Sequence, residues 1–401
     1  MNGQGQPIRI AQMIQSVDAP AGGTSTAFLG VLGAIRTQPG LSVRAFSTSP
    51  PADDPHWPRI TRDRAAHGQD SWNLSATFGR TLGPGDLGRE TAAAIASRQF
   101  DLLHLHGLWS PDLLHAARAA RRASIPYVWQ PHGMLVRAAI SQKRWKKELF
   151  LALGLRRALV NAAAIIYCAH EEQDQSIPPR AIPRDRTHVV PLPLEIPDDL
   201  PPREQMRASA RARFNIPADA PTVVFMGRLH HVKRVELAMD ALAEASRTLP
   251  NLHLLLLGDG DGEYVAALKA HADRLGIASR VRFAGFISGK DKWPALAAGD
   301  VLTLNSKHEN FGFVAVEALV VGTPPVMTSN LALAPELARV QGGFSCVSSA
   351  AALAGAYLEA IALADRPAFV ERGMAWVAQN LSSQAVGSTL ADLYRAILAR
   401  R

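Results

Sequence analysis

The feature that most constrains the fold is a regular alternation of short aliphatic runs with longer stretches rich in Ala, Leu and Arg. The runs have the length of buried strands, and the stretches between them can form helices. They fall at residues 8–14, 42–47, 101–106, 127–130, 163–167 and 188–190, and again at 222–226, 253–257, 281–284, 301–304 and 325–328. Strands that alternate with helices form parallel sheets covered on both faces, so the pattern predicts two doubly wound α/β units.

Prolines mark the boundary between the two sets of runs. Ten of the 27 prolines lie within residues 178–221, where their missing amides and fixed backbone disfavour a long helix. We therefore expect a linker there, an N-terminal domain at 1–197, a C-terminal domain at 198–375, and a terminal helix at 376–401 that packs back on the N-terminal domain. Residues 50–86 have few aliphatic side chains and are expected to form an irregular surface excursion.

Composition places the chain among globular proteins. It has 401 residues, of which 47% are hydrophobic and 19% charged, which excludes disordered and fibrous classes. No apolar run reaches the roughly 18 residues of a membrane-spanning helix, and residues 1–10 lack the blocks of a signal peptide. Cys168 and Cys346 are too few for a disulfide framework or a thiolate metal site. These features predict a cytoplasmic protein.

Positive charge is concentrated in one stretch. Of the net charge of +8, residues 118–157 contribute ten basic side chains against one acid. The core of this stretch, Lys143, Arg144, Trp145, Lys146 and Lys147, mixes cations with an aromatic residue at helical spacing, which is typical of a helix on an anionic membrane. A solvated helix packed on its own domain is the alternative. A nucleic-acid site is not predicted, because no known reading module is present.

The strongest chemical signal lies in residues 305–326. A buried strand ends at Leu304, a polar loop follows, and a helix is predicted to start between Phe311 and Phe313 and to stop at Gly322. The unpaired amides of such a helix start suit a phosphate, and Gly312 permits close approach. Glu309 and Glu317 are carboxylates that can accept hydrogen bonds from sugar hydroxyls.

A second signal follows the strand at 222–226. Gly227 allows a turn at the end of the strand, Arg228 offers a planar guanidinium, and Lys233 adds a compact charge near the start of the next helix. The two cations can converge on one diphosphate. A solvated basic loop is the alternative interpretation.

Two apparent metal motifs are discounted. Residues 258–262 contain an Asp-x-Asp that follows a predicted strand as a tight turn, so we expect no metal there. His104 and His106 share one face of a strand end but lack further ligands at zinc spacing. His106 is expected to line the site on the side where a second substrate, the acceptor, would bind. His104 is expected to have a structural role.

These motifs together resemble those of retaining glycosyltransferases of family 4 with the GT-B fold. The resemblance includes Gly-Arg-Leu at 227–229 with Lys233, and the two glutamates eight residues apart around Asn-Phe-Gly. The block at 130–135, with the basic residues that follow it, is similar to bacterial exopolysaccharide and surface-glycan members. The resemblance implies two Rossmann-like doubly wound domains that face a cleft. Arg234 stands where such relatives commonly have glycine.

The resemblance also implies roles for individual residues. Arg228 and Lys233 would neutralise the donor diphosphate, Glu309 would hold the donor sugar and Glu317 the nucleotide ribose. The remaining implied positions are His132 at the reacting centre, Asn310, Phe311 and Gly312 around sugar and phosphate, and Gly22 and Gly23 near the diphosphate or acceptor.

The resulting hypothesis is a metal-independent, retaining hexosyltransferase without a cofactor. It would use a UDP- or GDP-sugar and a polyprenyl-linked or other glycan acceptor in surface polysaccharide biosynthesis, at the inner face of the plasma membrane. Two alternatives stay open, a sugar-nucleotide epimerase on the same architecture and a non-catalytic basic protein that binds membrane or nucleic acid.

Overall fold

The chain forms two compact units. The computed structural model describes residues 6–18, 23–79, 83–141, 144–177, 182–309 and 311–400. Unit 1 comprises Met1–Glu195 and Asn380–Arg401, and unit 2 comprises Ile196–Gln379. Each unit is a parallel sheet whose strands are connected by helices, so the predicted class of two doubly wound α/β units is confirmed.

Unit 1 contains a seven-stranded parallel sheet. Its strands are β1 (Ile8–Ser16), β2 (Leu41–Thr48), β3 (Trp72–Ser75), β4 (Leu102–His106), β5 (Tyr127–Gln130), β6 (Ala164–Tyr167) and β7 (Thr187–Val189). Their order across the sheet is β3-β2-β1-β4-β5-β6-β7. The helices between them are α1 (Gly23–Arg36), α2 (Trp57–His67), α3 (Asp86–Ala96), α4 (Pro111–Arg122), α5 (Arg137–Ser141), α6 (Arg144–Phe150), α7 (Arg156–Val160) and α8 (His170–Gln175). The strand order reverses between β1 and β4, where doubly wound sheets bind ligands at their carboxyl edge.

Unit 2 contains a six-stranded parallel sheet. Its strands are β8 (Thr222–Met226), β9 (His253–Leu257), β10 (Val281–Phe283), β11 (Val301–Leu304), β12 (Pro325–Thr328) and β13 (Phe344–Cys346). Their order is β10-β9-β8-β11-β12-β13, which places the carboxyl ends of β8 and β11 side by side. The helices are α9 (Arg203–Arg213), α10 (Val235–Ala245), α11 (Gly262–Arg274), α12 (Lys292–Ala297), α13 (Phe313–Val320), α14 (Leu333–Arg339), α15 (Ala350–Ile361) and α16 (Arg366–Leu381).

The central strands are the aliphatic runs that the sequence singles out. All residues of β4, β9 and β11 are buried, as expected for strands covered on both faces. No helix among the described residues combines the length and apolar character needed to cross a bilayer.

Two expectations about irregular structure are wrong. Residues 50–86 contain α2 and the edge strand β3, which escaped prediction because α2 buries only Ile60 and shows no apolar stripe. The proline-rich stretch contains α9, an 11-residue helix, because Pro202 and Pro217 flank it without interrupting it.

A buried carboxylate fixes the loop between β3 and α3. Asp112, at the start of α4, is fully buried and accepts hydrogen bonds from the backbone N–H groups of Gly79, Gly85 and Gly88 at 2.7, 2.7 and 3.1 Å. A Cβ at Gly88 would lie 2.6 Å from the Asp112 carboxylate, so only glycine allows this approach.

The last helix, α17 (Ser383–Ala399), packs on α1 within unit 1. Gly387 lies at their contact, where a Cβ would come within 2.2 Å of the Ala34 carbonyl oxygen. Tyr394 of α17 is fully buried, and its hydroxyl lies 2.7 Å from Nδ1 of His104 on β4. The C-terminal segment is therefore part of the core of unit 1.

Candidate active site

The loops after β8, β9 and β10 are joined through their backbones. Gly258 N–H donates to Gly285 O at 2.8 Å, and Leu229 N–H donates to Asp259 O at 2.8 Å. A Cβ at Gly258 would lie only 1.9 Å from Gly227 O, so the first two loops touch where no side chain fits. Arg228, which is exposed, is thus carried on a loop that its neighbours hold in place.

Two of the predicted site residues form an ion pair. Lys233 Nζ, in the loop after β8, lies 2.6 and 2.8 Å from the two carboxylate oxygens of Glu309, in the loop after β11. Both side chains are largely buried, with exposed fractions of 25% and 13%. Ser306 Oγ also donates to Oε1 of Glu309 at 2.6 Å. The structure therefore brings together a cation for phosphate and a carboxylate for sugar, from adjacent strands.

Further hydrogen bonds hold these two loops together. Lys307 N–H donates to Val232 O at 2.8 Å, and Asn305 Nδ2 donates to the Arg234 carbonyl at 2.6 Å. Arg234 has a left-handed backbone with φ 54°, which is the conformation glycine adopts without strain, and it precedes α10. Its side chain donates to Ser348 Oγ.

The start of α13 follows the sequence prediction. Gly312 has φ 89° and precedes the first helical residue, Phe313. A Cβ at Gly312 would lie 3.1 Å from Leu304 Cδ2, a tight contact that the leucine side chain would have to relieve by a small shift. Phe311 is buried, and its ring centroid lies 5.0 Å from that of Phe313. Asn310 lies outside the described residues.

Glu317, on α13, pairs with a lysine that sequence reasoning missed. Lys292 Nζ, at the start of α12, lies 2.7 Å from Glu317 Oε1. The same ammonium lies 4.5 Å from the ring centroid of Trp293, which is buried. A lysine that follows a strand by nine residues has no local pattern that links it to Glu317. The signal that could have indicated Lys292 is its place in the connection that follows the carboxyl end of β10, because ligands bind at that edge of such sheets.

The Asp-x-Asp stretch after β9 is engaged with its own backbone. Asp259 Oδ1 accepts from Gly260 N–H at 2.8 Å. Asp261 Oδ1 accepts from the N–H groups of Glu263 and Tyr264 and thereby caps α11. Within the described part of the chain, no three His, Cys, Asp or Glu side chains cluster as a metal site would require.

In unit 1, His132 belongs to a buried column of three imidazoles. His132 Nε2 lies 3.0 Å from His106 Nδ1, and the ring of His106 stacks on that of His104 with centroids 4.0 Å apart. Burial lowers the pKa of His104 and His132 to about 3 and that of His106 well below its ordinary value. These three side chains are therefore neutral at physiological pH. His106, expected on the acceptor side, is fully buried and contacts His132.

The turn that carries His132 is held by a second carboxylate that sequence reasoning missed. His132 has φ 51°, an uncommon conformation for a residue with a Cβ. Glu172, buried on α8, accepts from Gly133 N–H at 2.5 Å and from Cys168 N–H at 2.6 Å. Burial raises the pKa of Glu172, against the lowering effect of these two donors.

Gly23 is the first residue of α1 and follows β1 after a short connection. A Cβ there would meet no atom of the described residues within 4 Å. Gly22 lies outside the described residues. The structure thus places Gly23 at the carboxyl edge of the unit 1 sheet, where a helix N-terminus favours an anion.

The basic helix α6 presents apolar side chains to solvent. Trp145 and Leu149 on α6, and Leu153 in the short helical segment Leu151–Leu155 that follows it, recur at intervals of four residues and are 69%, 50% and 43% exposed. Arg144 and Lys146 lie on the same helix and are exposed. Lys147 donates a hydrogen bond to Ala139 O, and none of the residues of α6 is buried. Lys143 lies outside the described residues.

Comparison with known domain families assigns both halves of the chain. Residues 22–193 match the model of a glycosyl transferase 4-like domain, and residues 206–371 match the model of glycosyl transferases group 1. The curated relatives are glycosyltransferases as well. LpsE of Rhizobium meliloti (strain 1021), a lipopolysaccharide core biosynthesis glycosyltransferase, is 43% identical over 118 residues, which are 29% of this chain and 32% of that protein.

A longer match is the D-inositol 3-phosphate glycosyltransferase of Streptomyces avermitilis, 29% identical over 75% of this chain and 66% of that protein. The chain thus spans between about a third and about two thirds of these curated relatives.

Solved structures share the fold over nearly the whole chain. Anabaena Alr3699/HepE in complex with UDP and glucose superposes with a TM-score of 0.72 at 21% identity, over 97% of this chain and 100% of that one. WaaG, a glycosyltransferase involved in lipopolysaccharide biosynthesis, gives 0.67 at 17% identity, over 96% and 99%. The architecture of two Rossmann-like domains is therefore GT-B.

Proposed function

We propose that this chain, whose two halves are glycosyltransferase domains in a GT-B fold, moves a hexose from a UDP- or GDP-sugar to a polyprenyl-linked or other glycan acceptor. The observation that carries the proposal is the ion pair of Lys233 and Glu309 at the carboxyl edge of the unit 2 sheet. It joins an ammonium suited to a diphosphate with a carboxylate suited to sugar hydroxyls. The presence of UDP and glucose in the HepE structure supports this donor class.

The leaving group determines what the site must stabilise. When the bond between the anomeric carbon and the diphosphate breaks, negative charge develops on the departing phosphate. Arg228 and Lys233 would stabilise that charge, together with the unpaired amides in the first turn of α13. These cations are the reason for proposing a reaction that needs no divalent metal.

We propose that the anomeric configuration is retained. The anomeric carbon loses its bond to the phosphate oxygen and forms one to the acceptor oxygen on the same face. The acceptor's proton passes to the departing phosphate oxygen, so no separate protein base is required. Glu309 would orient the hydroxyls of the sugar and Glu317 those of the ribose. The roles implied for His132, His106, Gly22, Gly23 and Asn310 stay predictions.

Sugar transfer with purified protein tests the proposal. Release of nucleoside diphosphate from a UDP- or GDP-hexose should require an added glycan acceptor, polyprenyl-linked or other, and the product should keep the anomeric configuration of the donor. Lys233→Ala and Arg228→Ala should each lower kcat by about 10² to 10³, the effect of losing one preorganised charge donor.

Lys290→Ala is the matched control, because its ammonium pairs with Asp199 in an exposed ion pair. It should turn over at the wild-type rate. A Lys233→Ala protein that keeps this rate at saturating donor would remove the diphosphate clamp from the proposal.

The epimerase alternative makes a different prediction in the same assay. An epimerase converts its sugar nucleotide without an acceptor and without net release of nucleoside diphosphate. Conversion of the donor in the absence of acceptor would therefore replace the transferase proposal.

We also propose that unit 1 binds peripherally to the anionic inner face of the plasma membrane, where a lipid-linked precursor of a surface polysaccharide would be found. The exposed side chains of Trp145 and Leu149 support this, because cations flank them on α6, and the exposed Leu153 follows in the next helical segment. Such a surface combines apolar insertion with attraction to anionic headgroups.

A further inference from the structure

Lys292 is an unusually constrained lysine. Its Nζ lies 2.7 Å from Glu317 Oε1 and 4.5 Å from the ring centroid of Trp293. The side chains of Lys292 and Glu317 are 27% and 14% exposed, whereas those of the nearby pair Lys290 and Asp199 are 83% and 70% exposed. Fixing a lysine side chain costs conformational entropy, which the ion pair and the indole contact must offset.

The pairing leaves one side of the carboxylate available. Oε1 of Glu317 accepts from Lys292, and Oε2 has no hydrogen-bond partner among the residues that the structure describes. Glu309 differs, because both of its oxygens accept from Lys233. Glu317 is therefore held in one orientation with an oxygen still able to accept a ligand hydroxyl.

We infer that Lys292 is a positioning residue that fixes the Glu317 carboxylate for the ribose hydroxyls of the donor nucleotide. This inference rests on the proposed function, in which Glu317 binds the ribose. Without the ammonium, the carboxylate is free to rotate, and ordering it on binding reduces the affinity. Lys292 makes no contact with the reacting atoms in this role, so turnover at saturating donor is independent of it.

The test is Lys292→Met, which keeps an apolar side chain on Trp293 and removes the charge. Calorimetry with UDP, GDP and ADP identifies the nucleotide that binds the wild-type protein most tightly. The variant should bind this nucleotide about tenfold more weakly than the wild type does. For the 2′,3′-dideoxy form of the same nucleotide, which lacks the ribose hydroxyls, the Kd values of variant and wild type should agree within about twofold. KM for the donor should rise by about the same tenfold factor, with kcat unchanged.

Three further variants separate positioning from general damage. Lys292→Arg keeps the charge and should restore most of the affinity, and Lys290→Met should bind as wild type does. In a Glu317→Gln background, Lys292→Met should cause no further loss, because the two residues act on the same contact.

If Lys292→Met weakens binding of the preferred nucleotide and of its 2′,3′-dideoxy counterpart equally, or lowers kcat with KM unchanged, the positioning role is overturned. The proposed function would be unaffected by either result. Wild-type protein that binds none of the three nucleotides would overturn both.

Discussion

At the residue scale, the two carboxylates of the site are used differently. Glu309 accepts three hydrogen bonds, two from Lys233 and one from Ser306. Under the proposed function, Lys233 must also serve the donor diphosphate and Glu309 the sugar. A diphosphate therefore competes with Glu309 for the ammonium, and its arrival would release carboxylate oxygens for sugar hydroxyls.

This competition predicts that a substitution that lowers turnover, Glu309→Gln, raises the affinity for the nucleoside diphosphate. Glu309→Gln removes the negative charge that holds Lys233, so the free nucleoside diphosphate should bind about threefold to tenfold more tightly. Turnover of the sugar donor should fall by about 10² or more, because an orienting acceptor is lost. Calorimetry and initial rates measure the two effects.

Glu317→Gln is the comparison variant, since Glu317 pairs with Lys292 and leaves Lys233 unaffected. Its affinity for the nucleotide should decrease. Unchanged or weaker binding by Glu309→Gln would show that the ion pair does not restrain Lys233.

Sequence patterns indicate single candidate residues best in the loops that follow strands. Arg228, Lys233 and Glu309 were predicted as site residues in this way, and their roles stay predictions. The Lys233–Glu309 contact itself was not, because it joins loops 76 positions apart. Glu172 and Lys292 were missed for the same reason, since their partners lie in other elements.

At the scale of elements, α6 is a basic helix that also exposes large apolar side chains, Trp145 and Leu149. It should bind vesicles that contain anionic phospholipid, and added salt should weaken the binding, because salt screens surface charge. Sedimentation with anionic and neutral vesicles measures this. Replacing Trp145 and Leu149 with serine should reduce binding without changing transfer to a soluble acceptor analogue.

An exposed apolar residue elsewhere provides the control. Val347 is 65% exposed on unit 2, and Val347→Ser should leave vesicle binding unchanged. Equal binding to neutral and anionic vesicles would contradict the electrostatic part of the proposal.

Strands were predictable where burial on both faces makes most of their residues apolar. The strands β5, β8, β9, β11 and β12 have the bounds that the sequence predicted. Two of the four edge strands were not predicted: β3 has four residues and β13 three, and their partly exposed sequences lack such a run, whereas the edge strands β7 and β10 were predicted to within one residue. Helix α2 was missed because one buried residue makes no periodic pattern.

At the scale of the whole molecule, the buried histidines of unit 1 link stability to pH. The pKa of an unfolded histidine is about 6.5, whereas burial lowers that of His104 and His132 to about 3. Between these values the unfolded chain binds more protons than the folded one. Stability is therefore greatest above about pH 6.5 and falls as the pH decreases.

The free energy of unfolding should accordingly fall between about pH 7.5 and about pH 5.5, above the range in which carboxylates titrate. Each histidine that takes up a proton only on unfolding adds a slope of up to about 1.4 kcal/mol per pH unit. Glu172, whose pKa burial raises, contributes in the opposite direction. Urea unfolding across this range measures the slope, and a flat profile would contradict it.

Unit 1 is assembled from two segments of the chain, with the whole of unit 2 between them. A ribosome therefore synthesises all of unit 2 before it makes α17, which packs on α1 and supplies Tyr394 to His104. The first segment of unit 1 is translated first, but the surface of α1 that α17 buries stays exposed until α17 has been made. Unit 2 is translated second but has all of its residues before unit 1 does, so it can finish folding first. A chain that is truncated before α17 would therefore leave unit 1 incomplete and unit 2 complete.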